Sequence, residues 1–188
     1  MTAAKIRINL VNPEQASDKI KGTFTAVKKQ MGVLPNMIRA MANAPSVLQA
    51  YLQFSGALAT GKLSPKLREQ IAVLTAQSNS CDYCMSAHTY LGQAAGISAD
   101  ELSQSREGQS NDPKTKAALK FVKSVIDKKG EVSDADWQAV RDSGFSDEEV
   151  LEMIAAVALN VLTNYFNKAA KTEIEFPIIS TTSAASKK

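Results

Sequence analysis

Helix punctuation recurs along this chain so regularly that few folds other than a helical one are open to it. Ile20, Phe24, Val27 and Met31 return at helical spacing, and Gly32 follows as a C-cap. A short helix is expected after Pro35 and a longer one from about Pro45, carrying Leu48, Tyr51, Ser55 and Leu58 and ending near Gly61. Ser64-Pro65 sets an N-cap before a proline at the first helical position and opens a helix through about Gln77. The next begins near Ser80, with Asn79 or Ser80 as its cap, and stops at Gly96. Ser98 with Glu101 has the pattern of a capping box, and residues 106–113 form a polar loop before a helix bearing Ala118, Val122, Val125 and Ile126, which Gly130 ends. Ser133 starts a short helix with Trp137 and Val140; Gly144 breaks it. Ser146 with Glu149 then caps the longest apolar helix, about residues 147–171. Only residues 173–179 have an extended pattern, and Pro177 argues against a central strand there. The fold class is therefore all-α, with one domain over residues 1–179 built from helical hairpins and a polar tail, residues 180–188, expected to be disordered.

Composition narrows the function classes. With 188 residues, 44% hydrophobic and 22% charged, the chain supports one globular domain with a substantial core. Lys and Arg number 22 against 19 for Asp and Glu, and no basic run occurs apart from Lys187 and Lys188, so nucleic acid is not an expected partner. No run approaches the roughly 18 consecutive apolar residues of a membrane span, and residues 1–14 lack the apolar stretch of a secretory signal. A cytoplasmic location without membrane partners is the expectation. Residues 56–62 (GALATGK) imitate a phosphate loop, but Leu63 stands where a hydroxyl must reach magnesium and a helix precedes it, so that reading is discarded. Met31, Met37 and Met41, and Tyr165 with Phe166, read as core or interface packing. Residues 64–76 and 146–159 both run from a serine cap to an acid and an Ile-Ala-rich helix, through chance or through duplication of a helical hairpin.

The scarce residues carry the chemistry. The chain holds two cysteines and one histidine, and all three fall between Cys81 and His88. Steps of three and seven from Cys81 bring Cys84 and His88 back to one helical face. At a helix start the unpaired backbone N–H groups favour a thiolate, and His88, one turn beyond Cys84, is placed to take or return the thiol proton. In the preceding helix Leu67, Ile71 and Leu74 form one apolar face, while Glu69 lies opposite with Ala72, Val73 and Ala76. A carboxylate in such surroundings needs a raised pKa or a specific partner, and an αα-hairpin could bring it to His88. Each residue alone also has a plain structural reading, as a buried inert thiol, a structural histidine or a solvated glutamate; their coincidence on one hairpin favours chemistry. Zinc would need a fourth ligand that no further Cys or His supplies, haem attachment would need a histidine where Met85 stands, and a thioredoxin fold would need a strand before the motif. No metal or cofactor is expected, and a dithiol in a reducing compartment points to redox chemistry.

Glu69, then Cys81-Asp82-Tyr83-Cys84, then His88 resemble the signature of AhpD-like alkylhydroperoxidases in the carboxymuconolactone decarboxylase superfamily. Leu34-Pro35-Asn36, Asn164-Tyr165-Phe166-Asn167 and Thr172-Glu173-Ile174 are similar to its peroxidase-related branch, so the resemblance spans about residues 33–177. It implies an AhpD-like helical bundle, a homotrimer or homohexamer, and a peroxidase cycle without haem or metal. Cys84 would attack a hydroperoxide, Cys81 would close a disulfide, Glu69 and His88 would relay the proton, and a dithiol or a protein reductant would reset the pair. Where the best-known hydroperoxidases carry a second histidine, this chain has Tyr83. Position at the helix start favours Cys81 as the attacking sulfur, but a dipole end contributes only about 0.3–1 kcal/mol and His88 adjoins Cys84, which is therefore the expected nucleophile. The alternatives are a dithiol-disulfide oxidoreductase without peroxidase activity, or a non-catalytic oligomeric protein that responds to redox state.

Overall fold

The structure is a computed structural model and describes residues 7–182. Among these residues it contains nine helices and no strand: α1 (Asp18–Met31), α2 (Asn36–Met41), α3 (Pro45–Ala59), α4 (Pro65–Ser78), α5 (Asp82–Ala94), α6 (Ala99–Ser105), α7 (Pro113–Asp127), α8 (Asp134–Asp142) and α9 (Asp147–Ala170). The punctuation works as the sequence suggests. Gly32 ends α1 in the left-handed region, the Ser64 hydroxyl accepts the Leu67 N–H at the start of α4, and Ser133 and Ser146 open α8 and α9 with complete capping boxes. At α6 the expected box is only half made. Ser98 accepts the Glu101 N–H, but the Glu101 carboxylate turns away to the Gln70 amide, the Ser110 hydroxyl and the Asn111 N–H, tying α6 to α4 and to the following loop.

α4 is the centre of the bundle, packing on α5, α6, α7 and α9, and every residue from Gln70 to Ala76 is buried. Its two faces serve two cores. Val73 and Ala76 join Phe24, Ile38, Met41, Cys84 and Met85, while Leu67, Ile71 and Leu74 join Leu119, Val122, Val150 and Met153. This is the arrangement implied by a helix apolar on opposite sides.

α9 is long and apolar enough by length and composition to cross a membrane, a property shared by the core helices of globular domains. It packs on α3, α4, α5 and α7 and buries Val150, Met153, Ala156 and Val157 within the bundle. The segment imitating a phosphate loop is already filled: the Lys62 and Leu63 N–H groups donate to the Glu152 carboxylate of α9 at 2.8–2.9 Å.

The chain after α9 lies along α5 rather than leaving the domain. The Ile179 N–H donates to the Ser86 hydroxyl at 2.9 Å, and the Thr181 N–H and hydroxyl both donate to Asp82 at 2.8 and 2.7 Å. The expectation of disorder from residue 180 is therefore corrected for residues 180–182. Small polar side chains that suggested a free tail instead satisfy the carboxylate at the start of α5, where it also complements the helix dipole. Residues 183–188 lie outside the described residues.

Candidate active site

A tight turn delivers the thiols. α4 ends with Asn79 as C-cap and Ser80 in the left-handed region at φ 51. The Cys81 N–H donates to the Ala76 carbonyl at 2.9 Å and the Ser80 N–H to the Gln77 carbonyl at 3.1 Å, the paired bonds of a Schellman ending. One residue later α5 begins, so Cys81 is itself the N-cap: its Sγ accepts the Cys84 N–H at 3.3 Å. This corrects the expectation that Asn79 or Ser80 caps the helix and Cys81 lies in its first turn. Asn79 and Ser80 are consumed in terminating α4, and the thiol takes the role of the capping oxygen.

Cys81 and Cys84 are both buried and reduced, with their Sγ atoms 2.8 Å apart. Across the hairpin, His88 Nδ1 and Glu69 Oε2 are also 2.8 Å apart, and the two side chains retain 24% and 22% exposure, enough to be reached from a cavity. The structure thus brings all four sequence-selected residues to one hairpin, and Glu69 has the specific partner its surroundings call for.

The electrostatics separate the two thiols. The Cys84 thiol is lowered to about 7: the hydrogen bond from Cys81 is the largest influence, burial opposes it, and the His88 charge with the Asn167 and Asn164 amides reinforces it. Cys81, whose proton is engaged by Cys84, is pushed far above the ordinary thiol range by that bond and by burial. The Cys84 N–H directed at Cys81 works the other way, but it is one neutral donor against a thiol, an imidazole and two amides. These influences favour the charge on Cys84 over Cys81. For His88, burial pulls the pKa down, but the charge and hydrogen bond of Glu69, aided by Cys84, outweigh it and hold the imidazole above its ordinary value.

Several participants carry no motif that composition or spacing could expose. Asn167 Nδ2 donates to Cys84 Sγ at 3.4 Å from α9, some eighty residues away in sequence. The Asn79 amide donates to Asn164 Oδ1 at 3.0 Å. Tyr51 on α3 is pushed up to about 12, first by burial, with a Ser55 hydrogen bond opposing and the charges of Cys84 and Glu69 adding to the rise. Tyr83, at the place of the family's second histidine, donates its hydroxyl to Glu175 at 2.9 Å and accepts the Met37 N–H at 3.1 Å. Burial, then the Glu175 charge, hold this phenol well above its ordinary range, so it is a fixed neutral donor. Glu175 also accepts the Asn36 N–H at 2.8 Å, so Tyr83 links α5 to α2 and to the strap after α9.

A cavity of about 240 Å³ opens onto these groups. Glu69, Cys84 and His88 line one side, and Met31, Leu58, Leu91, Leu159 and Phe176 give it an apolar wall. Among the described residues no three His, Cys, Asp or Glu are grouped as metal ligands would be.

A buried Cys-x-x-Cys pair on a helical hairpin, beside a glutamate–histidine pair and an apolar cavity, defines an AhpD-like helical dithiol protein. Residues 45–124, which include all four residues, match the model of the carboxymuconolactone decarboxylase family, in line with the motif resemblance. The chain is similar to the alkylhydroperoxidase AhpD core of an uncharacterized peroxidase-related protein from Ralstonia eutropha JMP134, at 26% identity and TM-score 0.83 over 92% of this chain and 94% of that one. It is also similar to an uncharacterized peroxidase-related protein from Silicibacter sp. TM1040, at 21% identity and TM-score 0.81 over 92% and 94% of the two chains. The debrominase Bmp8, in complex with 2,3,4-tribromopyrrole, shares the fold at 18% identity and TM-score 0.77, with 93% of each chain covered. No curated protein matches the chain significantly.

Proposed function

We propose that the chain is a thiol-dependent peroxidase that reduces hydrogen peroxide or small organic hydroperoxides through a Cys81–Cys84 dithiol/disulfide cycle. The observation that carries the reading is the asymmetry of the thiol pair. Cys84, lowered to about 7, faces the cavity, while Cys81 keeps its proton 2.8 Å away.

In the first step the Cys84 thiolate attacks the outer oxygen of the hydroperoxide. The O–O bond breaks, Cys84 becomes a sulfenic acid, and the leaving alkoxide takes a proton from His88, which Glu69 keeps charged. In the second, the Cys81 sulfur attacks the sulfenic sulfur, a disulfide forms, and the hydroxyl departs as water with the Cys81 proton. A dithiol or a protein reductant then returns two electrons and two protons. The apolar wall favours substrates with a hydrocarbon substituent, since transfer of such a group from water contributes roughly 25 cal/mol per Å² of apolar surface buried.

Assembly belongs to the same proposal. Leu151, Ala158, Leu162, Tyr165 and Ala169 form an exposed stripe along α9, with Leu151 60%, Leu162 45% and Tyr165 59% exposed. Apolar residues at these steps of seven, four, three and four suit a second helix, and a homotrimer or homohexamer would cover them.

The test is peroxide consumption with a dithiol reductant, together with mapping of the oxidised product. Cys84→Ser should abolish turnover, and Glu69→Gln should reduce it on the order of a hundredfold, within the range set by positioned acid–base groups. Full turnover by Cys84→Ser, or no Cys81–Cys84 disulfide after peroxide treatment, would overturn the reading. A disulfide that cycles without peroxide turnover would favour a dithiol-disulfide oxidoreductase or a redox-responsive assembly.

A further inference from the structure

Asn160, Thr163, Asn164 and Asn167 recur at steps of three and four on the otherwise apolar α9, and all four are buried. Polar side chains removed from water cost free energy unless each finds a partner, so such a stripe calls for a physical reason. Two of the four are satisfied by the helix itself: Asn160 Nδ2 donates to the Ala156 carbonyl at 2.9 Å, and the Thr163 hydroxyl to the Asn160 carbonyl at 3.0 Å. The other two turn outward to the thiols. Asn167 Nδ2 reaches Cys84 Sγ at 3.4 Å and Met37 Sδ at 3.2 Å, both soft acceptors that repay an amide poorly in the neutral state. Asn164 is fixed from behind, because its Oδ1 accepts the Asn79 amide at 3.0 Å. Its Nδ2 is sealed from solvent and has no hydrogen-bond partner, although the side chain is near enough to help lower the Cys84 thiol. A buried donor held in place with nothing strong to bind is primed for an acceptor that arises during a reaction.

We infer that Asn164 and Asn167 form an amide cradle that stabilises the Cys84 thiolate and, after oxygen transfer, binds the oxygen of the Cys84 sulfenic acid through Asn164 Nδ2. The oxygen-binding half of this inference rests on the peroxidase reading; the thiolate half does not. Ionisation turns Cys84 from a weak acceptor into a strong one, so the two amides favour the charged state over the neutral one. When the hydroperoxide O–O bond breaks, the oxygen now on sulfur supplies the acceptor that Asn164 lacks. Held there, the sulfenic acid presents its sulfur to Cys81 and is kept from a second peroxide.

Asn164→Leu and Asn167→Leu keep the branching at Cγ and remove the donors. Alkylation of Cys84 by iodoacetamide, located by mass spectrometry and followed against pH, reads the thiolate directly and needs no peroxide. Each variant should move the midpoint up by about one pH unit, equivalent to about tenfold slower alkylation below the midpoint. Asn167→Asp, of the same size, serves where a leucine variant does not fold, and its carboxylate should displace the midpoint upward as well. In a Cys81→Ser background, peroxide followed by a sulfenic-acid trap should give less trapped sulfenic acid and more sulfinic acid for Asn164→Leu than for its parent. Unmoved midpoints in folded variants would overturn the cradle even if the wild type turns over peroxide. Moved midpoints without any peroxide turnover would uphold the thiolate cradle and overturn both the peroxidase reading and the oxygen-binding role.

Discussion

At Cys84 a hydrogen bond from a second thiol, the charge of His88 and two amides oppose burial together, and their combined effect brings a thiol to about 7 inside the protein. The reactive form is the thiolate. Alkylation should therefore rise as pH increases through about 7 and level off above it, rather than near the ordinary thiol value of about 8.5, whereas peroxide consumption should rise over the same range and fall again once His88 loses its proton. Replacing His88 with Asn removes the imidazolium and should carry the midpoint of alkylation upward, so the loss in alkylation rate is largest below pH 7 and shrinks as the solution becomes alkaline. A rate profile identical to that of the wild type would show that His88 does not act on Cys84. At this scale the sequence was highly legible for Cys81, Cys84 and His88, because scarce residues at helical spacing must meet on one hairpin. Glu69 could be singled out by its wheel position. Glu175 could not, and although the resemblance marks the segment of Asn164 and Asn167 and Asn79 is a cap candidate, nothing in their local pattern says which distant side chain they will face.

Among the elements, the α4–α5 hairpin shows how a local signal can be right in kind and wrong in register. Apolar periodicity located both helices, but the boundary depended on which residues ended α4. Once Asn79 and Ser80 were taken into the Schellman turn, only Cys81 remained to cap α5. The shift puts Cys81 at the helix mouth, fixed by the Cys84 N–H, instead of one turn inside it. A second junction, between α3 and α4, depends on a close approach. A Cβ at Gly61 would collide with the Glu152 carboxylate that holds the Lys62 and Leu63 N–H groups. Gly61→Ala should therefore displace the Glu152 carboxylate from the Lys62 and Leu63 N–H groups and destabilise the protein by about 1 kcal/mol, the order of a lost hydrogen bond. The decrease should be visible as a lower thermal midpoint, whereas an unchanged midpoint would mean that Glu152 can leave the loop freely. The similarity of residues 64–76 and 146–159 acquires a physical contrast here: Glu69 serves the histidine, while Glu152 anchors a loop.

Across the whole molecule, two cores meet along α4, and the cavity lies where α3, α4, α5 and α9 converge. Exposed apolar side chains remain on two of those helices. α3 has no charged residue between Pro45 and Ala59 and buries only Leu48, and α9 exposes Leu151, Leu162 and Tyr165. If the chain assembles through α9, Leu162→Glu should lower its mass in solution by light scattering while leaving the helical circular dichroism unchanged. Unaltered mass in that variant would remove α9 from the interface. What the sequence determined by itself is the set of helices, their order, and the hairpin on which the thiols, the histidine and Glu69 meet. These follow from caps, periodicity and short connections, which act over a few residues. What only the tertiary structure decided is which sulfur carries the charge, which amides reach it, where the C-terminal strap lies and what Tyr83 binds. Each of those depends on groups far apart in sequence being desolvated side by side, and no local pattern records that pairing.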